Sequence, residues 1–236
     1  MKDNAQPRMD TNEHESEGKL PRFPFVFLRV HSWFPMLALL LAGCGTRQSH
    51  SSCCTTSLAS AAFTDKSLYQ LDSTWTNDKG QALQLGQLRG RVQVVAMFFA
   101  SCTYACPIIV QDMRRIETAL PKDLRSNVGF TLVTIDTERD TPAALHAYRI
   151  AQHLPGDGWT LLHGSPDDTL ELAALLGVKF KREATGQFAH SNRIAVLNEQ
   201  GEIIHQVVGL NQDIHDAVKR ITSAARETTR AHAAPE

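Results

Sequence analysis

Charge of one sign is scarce in this 236-residue sequence: 24 Lys and Arg stand against 25 Asp and Glu, a formal net charge of −1. So even a balance gives no electrostatic footing for a nucleic acid or other polyanion, and no nucleic-acid partner is expected. Cysteine is scarce too, at five, too few and too unevenly placed for a disulfide-stapled mini-fold. No internal repeat occurs, and without a GxGxxG element there is no readable nicotinamide, flavin or nucleotide site. The clean apolar run at residues 33–43 falls short of the roughly 18 residues that a bilayer span needs.

What is present begins with that run. Acidic, polar residues 1–20 give way to "PRFPFVFLRVHSWFPMLALLLAGCG", which reads as an export signal over residues 1–43. It ends in Leu41-Ala42-Gly43-Cys44, which resembles a bacterial lipobox with Cys44 as the lipidated first residue of the mature chain. Residues 23–43 also read as a noncleaved anchor, in spite of Arg29 and His31. Either way the expected location is the bacterial cell envelope, on the periplasmic or extracytoplasmic face and attached to the membrane. Residues 44–64 are rich in Ser, Thr and Ala with no apolar period, so they read as a tether spanning roughly 25 Å as a flexible coil. Exported thiols tend to oxidise unless a metal or a reductant holds them.

From residue 65 the pattern is that of a folded domain, expected over 65–228 with a frayed tail at 229–236. Residues 68–72 and 81–88 read as arms of a hairpin turning at "NDKG". Residues 91–100, "RVQVVAMFFA", form a nearly continuous apolar run, as a strand buried on both faces requires. In the segment that follows, Ile108, Ile109, Met113, Ile116 and Leu120 recur at helical spacing, with Gln111, Asp112, Arg114, Arg115 and Glu117 on the other side. Pro107 fits the first turn. A second buried strand (127–136), a helix (141–154), a short strand (159–164), a helix capped by Ser165 and stopped by Gly177, a hairpin (193–209) and an amphipathic helix (211–227) complete the order. Strands alternating with helices and closing on an antiparallel pair predict an α/β fold, a mixed sheet flanked by helices.

"ASCTYACPIIV", residues 100–110, lies where such folds place their chemistry, at the end of the first central strand and the start of its helix. Positions i and i+4 at a helix start face the same way, with Cβ atoms roughly 5–6 Å apart. A disulfide needs about 3.5–4.5 Å between Cβ atoms, whereas two thiolates at roughly 2.3 Å from a trigonal metal lie about 4 Å apart. The spacing therefore allows redox chemistry or metal binding, and two buried cysteines acting as small hydrophobes are the plain alternative. A helix N-terminus lowers thiol pKa and makes thiolate available. His50 with Cys53 and Cys54 offers an imidazole and two thiols in the tether, read either as incidental exposed thiols or as an auxiliary metal-collecting tail.

"FFASCTYACPIIV", then "VTIDTERDTP", then "FAHSNRIAVLN", resemble the Sco/SenC family of copper-binding cytochrome c oxidase assembly proteins over about residues 65–225. The resemblance implies a thioredoxin-like, peroxiredoxin-related fold. It also implies copper, as Cu(I) and also Cu(II), held by Cys102, Cys106 and His190, a soft donor set suited to Cu(I). Taken alone, His190 reads as a loop residue ahead of the strand that starts at Arg193. Asp136 becomes a candidate for orienting a ligand, whereas Thr141 reads as a cap and Asp140 as a complement to the helix N-terminus. Thr103, Tyr104 and Ala105 replace the family's usual proline-containing spacer, and Tyr104 is a candidate for the partner-facing surface. The leading expectation is a metallochaperone, not an enzyme, that delivers copper to a respiratory oxidase, its binuclear copper subunit. The alternative is a thiol-disulfide oxidoreductase in which Cys102 attacks and Cys106 resolves, served by a thioredoxin-like reductant or another copper carrier. A third class, a peroxidase, rests on fold analogy alone, and the thiol pair plus histidine is better explained by a metal.

Overall fold

The apolar run at residues 91–100 is followed by a second at 127–136, and both become strands with every side chain buried: β3 (Val92–Phe98) and β4 (Val128–Thr134). They pair in parallel, Val92 beside Val128 through Phe98 beside Thr134, and β4 pairs in parallel with β5 (Trp159–His163). Parallel strands need cover on both faces, which is why their sequences do not alternate. The computed structural model describes residues 63–233. The leader, Cys44, and His50, Cys53 and Cys54 lie outside the described residues.

The main sheet has seven strands in the order β2-β1-β5-β4-β3-β8-β9. On one side β1 (Trp75–Asn77) runs antiparallel to β5 and to β2 (Ala82–Leu83). On the other, β8 (Arg193–Leu197) runs antiparallel to β3 and to β9 (Ile203–Val208). Helix α1 (Ala105–Ala119) packs on β3 and β8, α2 (Pro142–Ala151) on β5, and α4 (His215–Ala233) on β9, β3 and α1. Helix α3 (Pro166–Leu175) carries Ser165 as its cap, the hydroxyl accepting from the Asp168 N–H, and Gly177 follows it at φ +68°. This is the expected mixed sheet flanked by helices. The core is continuous from Trp75 through Phe98 and Met113 to Leu161 and Ile221.

Four expectations need correction. The first hairpin turns at "NDKG" as expected, but its arms are β1 and the short β2, and Leu68–Gln70 and Leu85–Leu88 are 3-10 turns instead. The Ser67 hydroxyl accepts from the Tyr69 N–H and the Leu71 N–H bonds back to the Leu68 carbonyl, which turns the chain there. Asp112 is not on a solvent face but 1% exposed, accepting from Arg115 and from the Asn211 N–H. Helix α4 runs on to Ala233, so most of the expected frayed tail is helical. Finally, Phe180–Arg182 (β6) and Phe188–His190 (β7) form a separate two-stranded sheet with Phe180 opposite His190, so His190 closes a strand and is not in a loop. Among the described residues no helix is long and apolar enough to cross a membrane.

Candidate metal centre

At the C-terminal end of β3 the chain turns at Cys102 and enters α1 three residues later. Tyr104, the residue before the helix, gives no side-chain cap; the Cys102 sulfur takes that place, accepting from the Cys106 N–H at 3.4 Å. Partial burial works against a Cys102 thiolate, but hydrogen bonds from the Cys106, Tyr104 and Ala105 N–H groups and the Cys106 thiol outweigh it, so Cys102 titrates below the ordinary cysteine value. Cys106 is fully buried, and burial pushes its thiol well up, with the neighbouring Cys102 and Asp140 charges adding to the effect. Its sulfur accepts from the Phe99 N–H at 3.4 Å. The chain turn thus makes one available thiolate and one held as thiol until a bound cation displaces its proton or a two-electron oxidation joins the pair. Both cysteines are free thiols.

The sheet register brings the third donor. Strand β8 lies antiparallel to β3 with Ala96 opposite Ile194, so the chain just ahead of β8 arrives at the end of β3, beside the cysteine turn. There β7 ends in His190, with Nε2 3.6 Å from the Cys106 Sγ. Nδ1 lies 3.2 Å from the Ser191 carbonyl, and a proton donated there leaves the Nε2 lone pair facing the sulfurs. Burial lowers the His190 pKa, against the smaller opposing effect of the Ser191 bond, which keeps the ring neutral and able to ligate. The Phe99 ring stands edge-on to the imidazole at 5.8 Å and against Phe188 at 5.4 Å, walling the inner side.

The three donor atoms all lie within 4.8 Å of one another. Bonds of about 2.3 Å to sulfur and 2.0–2.1 Å to nitrogen around a trigonal cation require donors roughly 3.8–4 Å apart. The arrangement fits a soft cation with little movement, and no fourth donor joins the cluster among the described residues.

A second set of contacts fixes the hairpin that carries His190. Arg139 donates to the Gly186 carbonyl at the β6–β7 turn at 2.7 Å, and its Nε donates to Asp136. Arg182 on β6 pairs with Glu138 at 2.7 Å, faces Asp136 at 3.8 Å and lies over the Phe188 ring at 5.5 Å. Asp136 is 1% exposed and bonds these arginines, not a cysteine or His190. It holds the hairpin, and touches the ligand only through it. The carboxylate that reaches the cysteine turn is Asp140, which accepts from the Ala100 N–H at 2.8 Å and the Thr134 hydroxyl at 2.6 Å. Burial raises the Asp140 carboxyl against those bonds. In the sequence Asp140 reads only as a complement to the helix end; the hydroxyl of Thr134, the last residue of β4 and six positions before Asp140, was the available signal. Tyr104, between the cysteines, is 76% exposed.

Two thiols and an imidazole at the strand ends of a thioredoxin-like fold suit either a soft metal ion or dithiol chemistry. The sequence pattern of the SCO1/SenC family matches residues 62–226. The chain belongs to that family. It is 28% identical over 143 residues to a candidate copper-binding protein of Stutzerimonas stutzeri, covering 59% of this chain and 68% of that one. A SCO1/SenC family lipoprotein of Bacillus anthracis superposes with a TM-score of 0.60 at 21% identity, over 70% of this chain and 99% of that chain. Yeast Sco1 solved with copper bound gives 0.55 at 18% identity, over 70% and 93%. At such identities the two structures establish the fold.

Proposed function

We propose that this protein is a membrane-tethered copper metallochaperone of the cell envelope. Copper is its cargo, held by Cys102, Cys106 and His190 and passed by ligand exchange to a respiratory oxidase, at its binuclear copper subunit. The observation that carries the reading is the convergence of two thiols and an imidazole within 4.8 Å of one another, close to what a trigonal Cu(I) needs, in a family with a copper-bound member. Cys102 is partly open to solvent while Cys106 is buried, so an incoming donor reaches the cation from the Cys102 side. The exposed Tyr104 borders that approach. Lipidation at Cys44, or anchoring through residues 23–43, supplies the membrane attachment.

The test is transfer. The reduced protein, loaded anaerobically with Cu(I), is mixed with the copper-free soluble domain of an oxidase binuclear-copper subunit, and copper is followed on each partner after separation. Movement of copper to the subunit, lost in His190→Ala, supports the reading; a parent that binds no copper, or never yields it, sinks it. One observation favours a second reading: a low-pKa, accessible thiol ahead of a buried one is the arrangement of a dithiol reductant. There the Cys102 thiolate attacks a client disulfide, Cys106 displaces the reduced client, and the resulting Cys102–Cys106 disulfide is reduced by a thioredoxin-like donor. Client reduction that survives His190→Ala while copper transfer does not exist would decide for it.

A further inference from the structure

At the opposite end of the sheet, where β3, β4 and β5 begin, lies a cleft of about 640 Å³. Five cationic side chains line it against three acidic ones. Two of the acids are already engaged: Asp78 is gripped by Arg149, with Nη2 at 2.7 Å and Nε at 2.5 Å, and Glu117 accepts from the Trp159 indole at 3.1 Å. Lys79, Arg89, Arg91 and Arg125 line it too, with Asp157 as the third acid, and Arg125 also donates to the Leu120 and Thr118 carbonyls. Arg91 donates one guanidinium N–H to the Val128 carbonyl at 3.0 Å, while its Nε is buried with no acceptor. A buried guanidinium N–H left unpaired is costly, and carboxylate and phosphate oxygens are the acceptors that guanidinium geometry matches. Gly156 and Gly158 keep the wall open, with nothing within 4 Å of where a side chain would begin.

We infer that this cleft binds a phosphate ester group. The neutral chain as a whole gives no general attraction for polyanions, so the charge here is local and suits a single phosphate. Two sources share that chemistry, a free phosphate ester and the headgroup of an anionic phospholipid. The tether favours the second. Phe63 lies beneath the Arg89 guanidinium at 5.1 Å and packs against Gly86, and Arg89 lines the cleft. The segment that leads back to the membrane attachment therefore joins the domain at the cleft. The metal centre sits at the far end of the same strands, seven residues or roughly 20 Å away. A headgroup held in the cleft turns Cys102 and His190 away from the bilayer, toward a client's water-exposed domain. The phospholipid source rests on the tether reading; the phosphate site itself does not, nor on copper.

The experiment uses the full chain in two settings. In neutral maltoside micelles, glycerol 3-phosphate is titrated by calorimetry. In nanodiscs of phosphatidylcholine with and without phosphatidylglycerol, hydrogen exchange is followed at residues 89–93 and 156–160. The expected result is saturable, salt-sensitive binding in micelles, slower exchange at both segments only in phosphatidylglycerol discs, and loss of about tenfold or more of both effects in Arg91→Gln and in the exposed Lys79→Gln. Copper per protein stays unchanged throughout, which separates failure here from failure of the metal reading. Binding of glycerol 3-phosphate without any phosphatidylglycerol effect keeps the phosphate site and assigns it to a free ester. Neither effect, or effects that persist in both variants of correct circular dichroism, overturns the inference.

Discussion

Asp136→Asn probes how the ion-pair clip governs the meeting of His190 with the cysteines. Asp136 is buried, accepts from the Arg139 N–H and guanidinium, and faces Arg182 at 3.8 Å. Asn keeps the size and loses the charge, and a hydrogen bond to a charged partner contributes about 1.5–3 kcal/mol net. Part of the loss falls on the fold. The part that falls on the β6–β7 hairpin lowers the fraction of molecules with Nε2 in place, and apparent affinity falls in proportion to that fraction. A loss of about 1.4 kcal/mol expressed at the hairpin weakens Cu(I) binding about tenfold. The cysteine turn stays put, because it is held from β3 and α1 by the Phe99 and Cys106 N–H groups. The assay is anaerobic competition against a Cu(I) chelator, with hydrogen exchange at residues 180–190 and the Cys102 alkylation rate read on the same samples. The expected outcome is an affinity between those of the parent and His190→Ala, faster exchange in the hairpin, and unchanged alkylation. Unchanged affinity despite a loosened hairpin would refute the reasoning, as would a loss equal to that of His190→Ala with the hairpin undisturbed.

Iodoacetamide should modify Cys102 well before Cys106, with a pH–rate inflection below the ordinary thiol value of about 8.5; peptide mapping reads the site, and equal labelling would contradict the geometry of the turn. Arg149→Met strands the buried Asp78 carboxylate and should cost about 3–5 kcal/mol in urea unfolding, part of it recovered in Asp78→Asn/Arg149→Met. Burial by itself raises the Asp78 carboxyl, but Arg149 outweighs it and holds the group below the usual carboxylate range. The pair's stability is therefore fully present above the unfolded value of about 3.9 and is lost as pH falls through the lower folded value; a parent and an Arg149→Met variant with the same acid dependence would count against it. Gly164→Ala sets a methyl 2.5 Å from the buried Trp75 ring, and overpacking of this kind should lower stability by about 1–3 kcal/mol without changing copper per protein.

How much was legible follows the range of the forces involved. Strands β3 and β4 announce themselves as unbroken apolar runs because both faces are covered. Helices α2 and α3 begin at Thr141-Pro142 and Ser165-Pro166, where a hydroxyl cap and a proline at the first helical position act within one turn. The cysteine pair at a strand end and helix start was readable for the same reason. By contrast, β6 and β7 have three residues each, too short for any period to register. The roles of Asp136 and Asp140 also escaped, since one bonds Arg182 across 46 positions and the other bonds Ala100 across 40.

The sequence by itself determined the order of elements, the place of the cysteine turn and, through three quoted motifs, the family. Only the tertiary structure decided that Cys106 and His190, 84 positions apart, stand 3.6 Å from each other. It did so through the antiparallel register of β8 on β3 and the arginine clip on the hairpin. Local periodicity sets which residues form an element, whereas register and ion pairing between elements depend on the packed whole. That packing is what makes three scattered donors a single site.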